Sequence, residues 1–275
     1  MAKVPKRWIE GSNRTLLGFA SDQLTSTALA HSLSADELMD RHSLFPILSS
    51  FLTGTRAAQY KVGLTSGKFS SLQLPRSVQG LARSQTLRMC PECVANDVKT
   101  HGFGHWRRLH QIPCIRFCTH HGLRLQNRCG TCSVHMTTAA ETLPGEPCKH
   151  CGSTRTDSDL PSERSPGYTA LVDLLERALI GEAPELSHSF HSELLSRYFD
   201  ARDRNNDKVF PMFRVIAWWE TSDIFELFQL LQSGASQMNA HALFHSGDTR
   251  RCFFLTAAFI SYICTHMPEL LQPSP

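Results

Sequence analysis

The chain has 275 residues, 41% hydrophobic and 19% charged, with a formal net charge of +3. This balance excludes a polar disordered chain and a membrane bundle, and the length has room for one to three small domains of roughly 100–200 residues. The charge is segregated: residues 1–40 sum to −1, residues 41–140 to +11 with Glu92 and Asp97 as their only acids, and residues 141–275 to −7. A basic middle beside an acidic C-terminal part predicts two surfaces with different partners.

At the N-terminus, charged residues are not followed by an apolar stretch, which argues against a secretory signal and for the cytoplasm. Residues 21–40 place Leu24, Ala28, Leu29, Leu33 and Leu38 at near-helical spacing, and Ser34 followed by Glu37 has the pattern of a capping box. Residues 27–39 therefore read as helix, short turn, helix: part of a helix-turn-helix, or an ordinary helical hairpin. Residues 42–51 are apolar and broken by Pro46, residues 55–61 form a short helix, and residues 63–75 read as a loop rich in Gly, Ser and Thr.

Eight of the ten cysteines fall between Cys90 and Cys151. Clustered pairs in a chain without an export signal read as metal ligands rather than disulfides. Cys90-x-x-Cys93 is followed by Cys118-x-x-His121, and Cys129-x-x-Cys132 by Cys148-x-x-Cys151. Two such pairs complete a tetrahedral zinc shell, so the spacing predicts two structural Zn2+ ions with no position left for a catalytic water. Cys114, His110 and His120 are rivals for the fourth place in the first site. His121 is preferred because it repeats the knuckle spacing and Gly122 follows it. An iron–sulfur cluster on the all-cysteine site is the weaker reading, because its two halves lie far apart in sequence. Cys252 and Cys264, in the longest apolar run (residues 252–264), read as inert core.

No acid occurs from Val98 to Ala140, whereas Arg107, Arg108, Arg116, Arg124 and Arg128 do, with Trp106 among them. Such a surface suits a phosphate backbone, and these five arginines are the candidate nucleic-acid contacts; the alternative is that they are solvated or internally paired.

Residues 157–168 read as a linker. Beyond it, Leu171, Leu174, Leu175, Ala178 and Leu179 form one stripe of a helix ended by Gly181, and residues 192–201, 209–219, 222–231 and 250–266 are further helices. Trp218 and Trp219, with the apolar residues after them, read as helical core or as a docking face. The expected architecture is mainly α, with small zinc-ribbon or zinc-finger β elements. Its parts are an N-terminal helical region (1–89), a tandem zinc-finger region (90–156) and a C-terminal helical domain (169–275).

The sequence lacks H-E-x-x-H, GxxxxGK[ST] and G-x-S-x-G, and the CPEC motif lacks the H-x-E half of a deaminase site, so no enzyme is expected.

Residues 88–132, RMCPECVANDVKTHGFGHWRRLHQIPCIRFCTHHGLRLQNRCGTC, resemble the signature block of the TniQ/TnsD family. The elements carrying the likeness are the CPxC pair, Asn96-Asp97, the Gly…Trp-Arg-Arg-x-His-Gln-x-Pro run, the C-x-x-H-G turn and the closing C-x-x-C. The segment 42–52 resembles the stretch the family places before its first knuckle. The likeness is clear over about residues 40–155.

The resemblance implies a non-enzymatic, bacterial, nucleoid-associated adaptor that marks the insertion site of a cut-and-paste transposon. Its partners would be DNA or a CRISPR effector complex, an AAA+ ATPase and, through that ATPase, the transposase; some members dimerise. It also implies zinc-finger units beside helix-turn-helix units. The chain departs from the family in its opening segment and in its short C-terminal part, which fits a partner-dependent adaptor better than an autonomous sequence reader. The competing function is a zinc-containing transcription regulator that needs only DNA.

Overall fold

The computed structural model describes residues 34–66, 87–112, 114–136, 143–154, 164–184, 186, 188–203 and 253–271. They form seven α-helices: α1 (Ala35–His42), α2 (Phe45–Ser50), α3 (Gly54–Thr65), α4 (Pro91–His101), α5 (Pro166–Leu179), α6 (His188–Asp203) and α7 (Phe253–His266). Two 3₁₀ turns, Leu109–Gln111 and Pro268–Leu271, complete the regular structure. Among the described residues there is no strand. The expected zinc-ribbon β elements are replaced by isolated antiparallel bridges, Met89 with Gln126, Phe117 with Arg124, and Arg128 with His135. The backbone between these bridges is spent on tight turns, so no ladder extends.

The described residues fall into two compact units. Unit 1 draws on Met1–Phe45, Val62–Phe69 and Leu81–Glu163; unit 2 draws on Pro46–Lys61, Ser70–Gly80 and Arg164–Pro275. The region 1–89 is thus shared between them.

In unit 1, α1 starts where the sequence places a capping box. The Ser34 hydroxyl accepts from the Glu37 N–H at 3.1 Å, and the Glu37 carboxylate accepts from the Ser34 N–H at 2.9 Å. Each satisfies an otherwise orphaned helix-end donor, and Met39 is the residue α1 buries. Residues 27–33, which would supply the first helix and turn of the suggested helix-turn-helix, lie outside the described residues, as do the expected helices at 209–219 and 222–231 with Trp218 and Trp219.

Helix α2 begins at Phe45 with Pro46 as its second residue. Proline is tolerated there because a first-turn N–H has no intrahelical partner. Helix α3 runs past the expected end at Lys61 and takes in Gly63–Thr65.

Unit 2 is organised by α5 and α7. Ser165 caps α5 by accepting from the Tyr168 N–H at 3.2 Å, so Pro166, Gly167 and Tyr168, read from sequence as linker, open the helix. The α5 stripe Leu171, Leu174, Leu175 and Ala178 is buried, as are Ala257, Ala258, Phe259, Ile260 and Ile263 of α7. Tyr198 of α6 meets Phe259 edge-on, ring centroids 6.0 Å apart. Arg197 ties α6 to the last turn by donating to the Leu270 carbonyl at 3.0 Å. Among the described residues no helix is long and apolar enough to cross a membrane.

Phe259 is 1% exposed. Truncating it removes an aromatic contact and leaves a cavity, so Phe259→Ala should lower unfolding stability by about 3–5 kcal/mol. Urea titration followed by helical circular dichroism measures this.

Candidate metal centres and the basic segment

Four short segments bring the ligand atoms together. Three have one backbone design. The N–H of Cys118 donates to the carbonyl of Leu123, that of Cys129 to Val134 and that of Cys148 to Ser153. The N–H groups of Gly122, Ser133 and Gly152 donate back to the carbonyls of Cys118, Cys129 and Cys148 at 2.7–2.9 Å. The fifth residue of each turn is left-handed: Gly122 at φ 69°, Ser133 at φ 57° and Gly152 at φ 72°. Glycine meets that requirement without strain at two of the three positions.

The fourth segment differs. Cys90 is the extended N-cap residue of α4, Pro91 occupies the first turn, and Cys93 lies on the buried face with Val94 and Asp97. The helix ends on Gly102 at φ 82°, whose N–H returns to the Val98 carbonyl at 2.9 Å. Sequence reading treated Cys90–Cys93 as a knuckle and missed this helix, although Pro91 at its start and Gly102 just past its end are its standard punctuation.

Two groups of donor atoms result: Cys90, Cys93, Cys118 and His121; and Cys129, Cys132, Cys148 and Cys151, with all ligand atoms of a group within 4.8 Å of one another. In the first, His121 Nδ1 lies 3.5, 3.4 and 3.5 Å from the sulfurs of Cys90, Cys93 and Cys118, and the Cys93 and Cys118 sulfurs are 3.5 Å apart. In the second, Cys129 and Cys151 approach to 3.6 Å and Cys132 and Cys148 to 3.7 Å. A disulfide needs about 2.05 Å. A tetrahedron with metal–sulfur bonds of about 2.3 Å has edges of about 3.8 Å, so these spacings fit a shared ion.

The rivals are placed elsewhere. Cys114 is buried outside the group and His120 is exposed, while His110, also buried, hydrogen-bonds the Cys118 sulfur. Cys252 lies outside the described residues, and burial raises the pKa of Cys264.

Charge is unevenly shared within each group. Hydrogen bonds from Cys90 and Cys93, with His110 adding to them, hold the Cys118 thiol far below its ordinary pKa. Backbone N–H groups of Cys132 and Thr131 lower Cys129 to about 6. The Val134 N–H pulls Cys132 down, but burial and the neighbouring thiols of Cys151, Cys129 and Cys148 win and push it to about 12. A metal bound there would replace the protons that remain.

The candidate nucleic-acid residues separate into two sets. Arg107 Nη2 pairs with Asp97 Oδ1 at 2.7 Å, and His105 Nδ1 lies 3.1 Å from Asp97 Oδ2; the Asp97 side chain is 3% exposed. Arg108 donates to the carbonyls of Asp40 at 2.8 Å and Ser43 at 3.1 Å, tying the end of α1 to the segment. Gln111 is buried and bridges the same region: its amide donates to the carbonyls of Arg88 and Arg107, and its oxygen accepts from the Arg88 N–H. Arg116 stacks over Phe117, its guanidinium carbon 5.6 Å from the ring centroid, whereas Arg124 and Arg128 are exposed. Asp97 and Gln111 lie in the family-like block but are not among the site residues read from sequence. Asp97's signal was its being one of two acids in a strongly basic stretch.

Gly104 closes this layer. A Cβ there would lie 2.2 Å from the Pro144 carbonyl oxygen, so only glycine lets the segment after α4 meet the turn leading to Cys148. A separate hollow of about 400 Å³ in unit 2, lined among others by Pro46, Ser50, Thr53, Ala178 and Pro184, has no titratable side chain in its lining.

The architecture is that of a helical protein with two four-donor centres in one unit. Residues 7–125 match the TniQ family model, so this stretch carries a TniQ domain. The match associates it with target-site function in transposition, in a family whose members are generally non-catalytic adaptors. It contains the first donor group whole and ends before Cys129. No curated protein matches the chain.

Two outcomes follow from this geometry. Acidification should release metal, because Cys129 is a thiolate above a pH of about 6 and is protonated as the pH falls through that value. A chromogenic chelator should therefore report rising metal release between about pH 7.5 and 5. Asp97→Asn leaves Arg107 facing a neutral amide within the layer and should cost about 3 kcal/mol, read as a lower denaturation midpoint of the metal-loaded protein.

Proposed function

We propose that the chain is a non-enzymatic target-site selector for DNA transposition. It holds two structural zinc ions, binds DNA or a guide-RNA effector complex through its basic segment, and recruits an AAA+ ATPase that brings the transposase. The observation that carries this reading is the TniQ match over residues 7–125.

Zinc is the ion the donor chemistry favours, since Cys₃His and Cys₄ sets in tetrahedral spacing are zinc sets. Each group supplies four protein donors, so neither keeps a coordination position for a reacting water; both serve structure. The ions would fix the segment 87–136, on which Arg124 and Arg128 are exposed. Arg107 and Arg108 stiffen that segment from within, through Asp97 and the α1 carbonyls. The acidic C-terminal part, net −7 over residues 141–275, is the surface offered to the protein partner.

Replacing Arg124 and Arg128 together by Glu should weaken DNA binding and flatten its salt dependence by about one unit of slope per lost phosphate contact. An unchanged slope would remove both residues from the interface. Co-purification with the neighbouring ATPase after nuclease treatment tests the adaptor role. Binding to DNA alone, without ATPase capture, would favour a transcription regulator.

A further inference from the structure

The two donor groups differ in what they show to solvent. In the first, the residues Cys90, Cys93 and Cys118 are 0%, 3% and 0% exposed, and the exposed member is His121. In the second, Cys129 is 8% exposed, Cys132 and Cys148 are half-buried, and Cys151 is exposed. A small oxidant approaching the first group meets a ring that does not form disulfides. Approaching the second, it meets a cysteine.

We infer that the second donor group is a thiol-oxidation site, at which a peroxide converts Cys151 and Cys129, then Cys132 and Cys148, into disulfides and expels the ion, while the first group keeps its own. Susceptibility to oxidation follows exposure and thiolate character, and a metal-bound sulfur is a thiolate. The Cys151 sulfur attacks one peroxide oxygen; the O–O bond breaks, hydroxide leaves, and Cys151 becomes a sulfenic acid. The Cys129 sulfur, 3.6 Å away, then attacks the Cys151 sulfur, the S–O bond breaks, and a second hydroxide leaves. Two electrons have passed from the sulfur pair to the peroxide, and one S–S bond has formed. The ion retains only Cys132 and Cys148, too few ligands to hold it. Those sulfurs, 3.7 Å apart, are oxidised in the same way by a second peroxide. Both bridges join the turn 129–134 to the turn 148–153, so the ion's link between them is replaced covalently, and a thiol reductant with added metal restores the starting state.

The inference rests on the metal reading of the second group, and the test separates the two. Full-length protein is purified under reducing conditions and its zinc content measured. After removal of reductant it is treated with hydrogen peroxide while a chromogenic chelator reports release. Disulfides are then located by fragmentation of proteolytic peptides. Fewer than two ions at the outset, with the second group unmetallated, defeats the metal reading. With two ions present, the expected result is biphasic release, the first ion leaving at least about ten-fold faster. The first disulfides should join Cys129 to Cys151 and Cys132 to Cys148. Release of both ions at one rate, or first oxidation among Cys90, Cys93 and Cys118, overturns the inference. Cys151→His reproduces the donor set of the first group; if it retains its metal, the fast phase should slow by about ten-fold, and an unchanged rate removes Cys151 as the first sulfur attacked.

Discussion

Eight side-chain donors drawn into two tetrahedral groups are the constraint on which the basic part of the molecule depends. Among the described residues between 87 and 154, the buried apolar ones other than cysteine are Leu87, Met89, Val94, Ile112, Ile115 and Leu125. So few cannot offset the backbone entropy of ordering such a segment. An ion shared by their sulfur and nitrogen atoms, which converge to 3.4–3.7 Å, would hold the turns at fixed distances, backed by three repeats of one turn design. The three bridges, and the Leu87 N–H bond to the Met136 carbonyl, then stitch the arms between the turns.

A second constraint is electrostatic and local. A stretch carrying +11 over one hundred residues repels itself, and one carboxylate at its centre relieves that repulsion where it is greatest. Asp97 sits on the buried face of α4, gathers Arg107 and His105, and through Arg107 orders the residues that Gln111 and Arg108 fasten to neighbouring backbone. Part of the positive charge that looked available to a ligand is therefore spent on shape. Arg124 and Arg128 remain at the surface, on the stretch between the two donor groups.

How much of this was legible depends on the range of the interactions involved. The capping box at Ser34 and Glu37, the α5 stripe and the spacing of the donor pairs are local patterns, and each is found where the sequence places it. The partner of Arg107 was not readable, because it depends on α4 turning Asp97 inward. Helix α4 itself was hidden by its own first residues: Cys90-Pro-Glu-Cys93 reads as a knuckle, yet proline opens a helix as readily as a turn. That the described residues pair in isolated bridges and not in strands has a similar cause, since a turn closed by its own hydrogen bonds leaves little backbone for pairing across arms.

The donors of the two groups follow one another along the chain instead of interleaving: Cys90, Cys93, Cys118 and His121 all precede Cys129. During synthesis the first set is therefore complete once His121 has emerged from the ribosome, about eight residues before Cys129, the first sulfur of the second set. At elongation rates of about 5–20 residues per second, that head start lasts about 0.4 to 1.6 seconds. Over that interval the early sulfurs have no late sulfurs to choose among, so linear order alone removes the mismatched quartets that an interleaved arrangement would have to sort out.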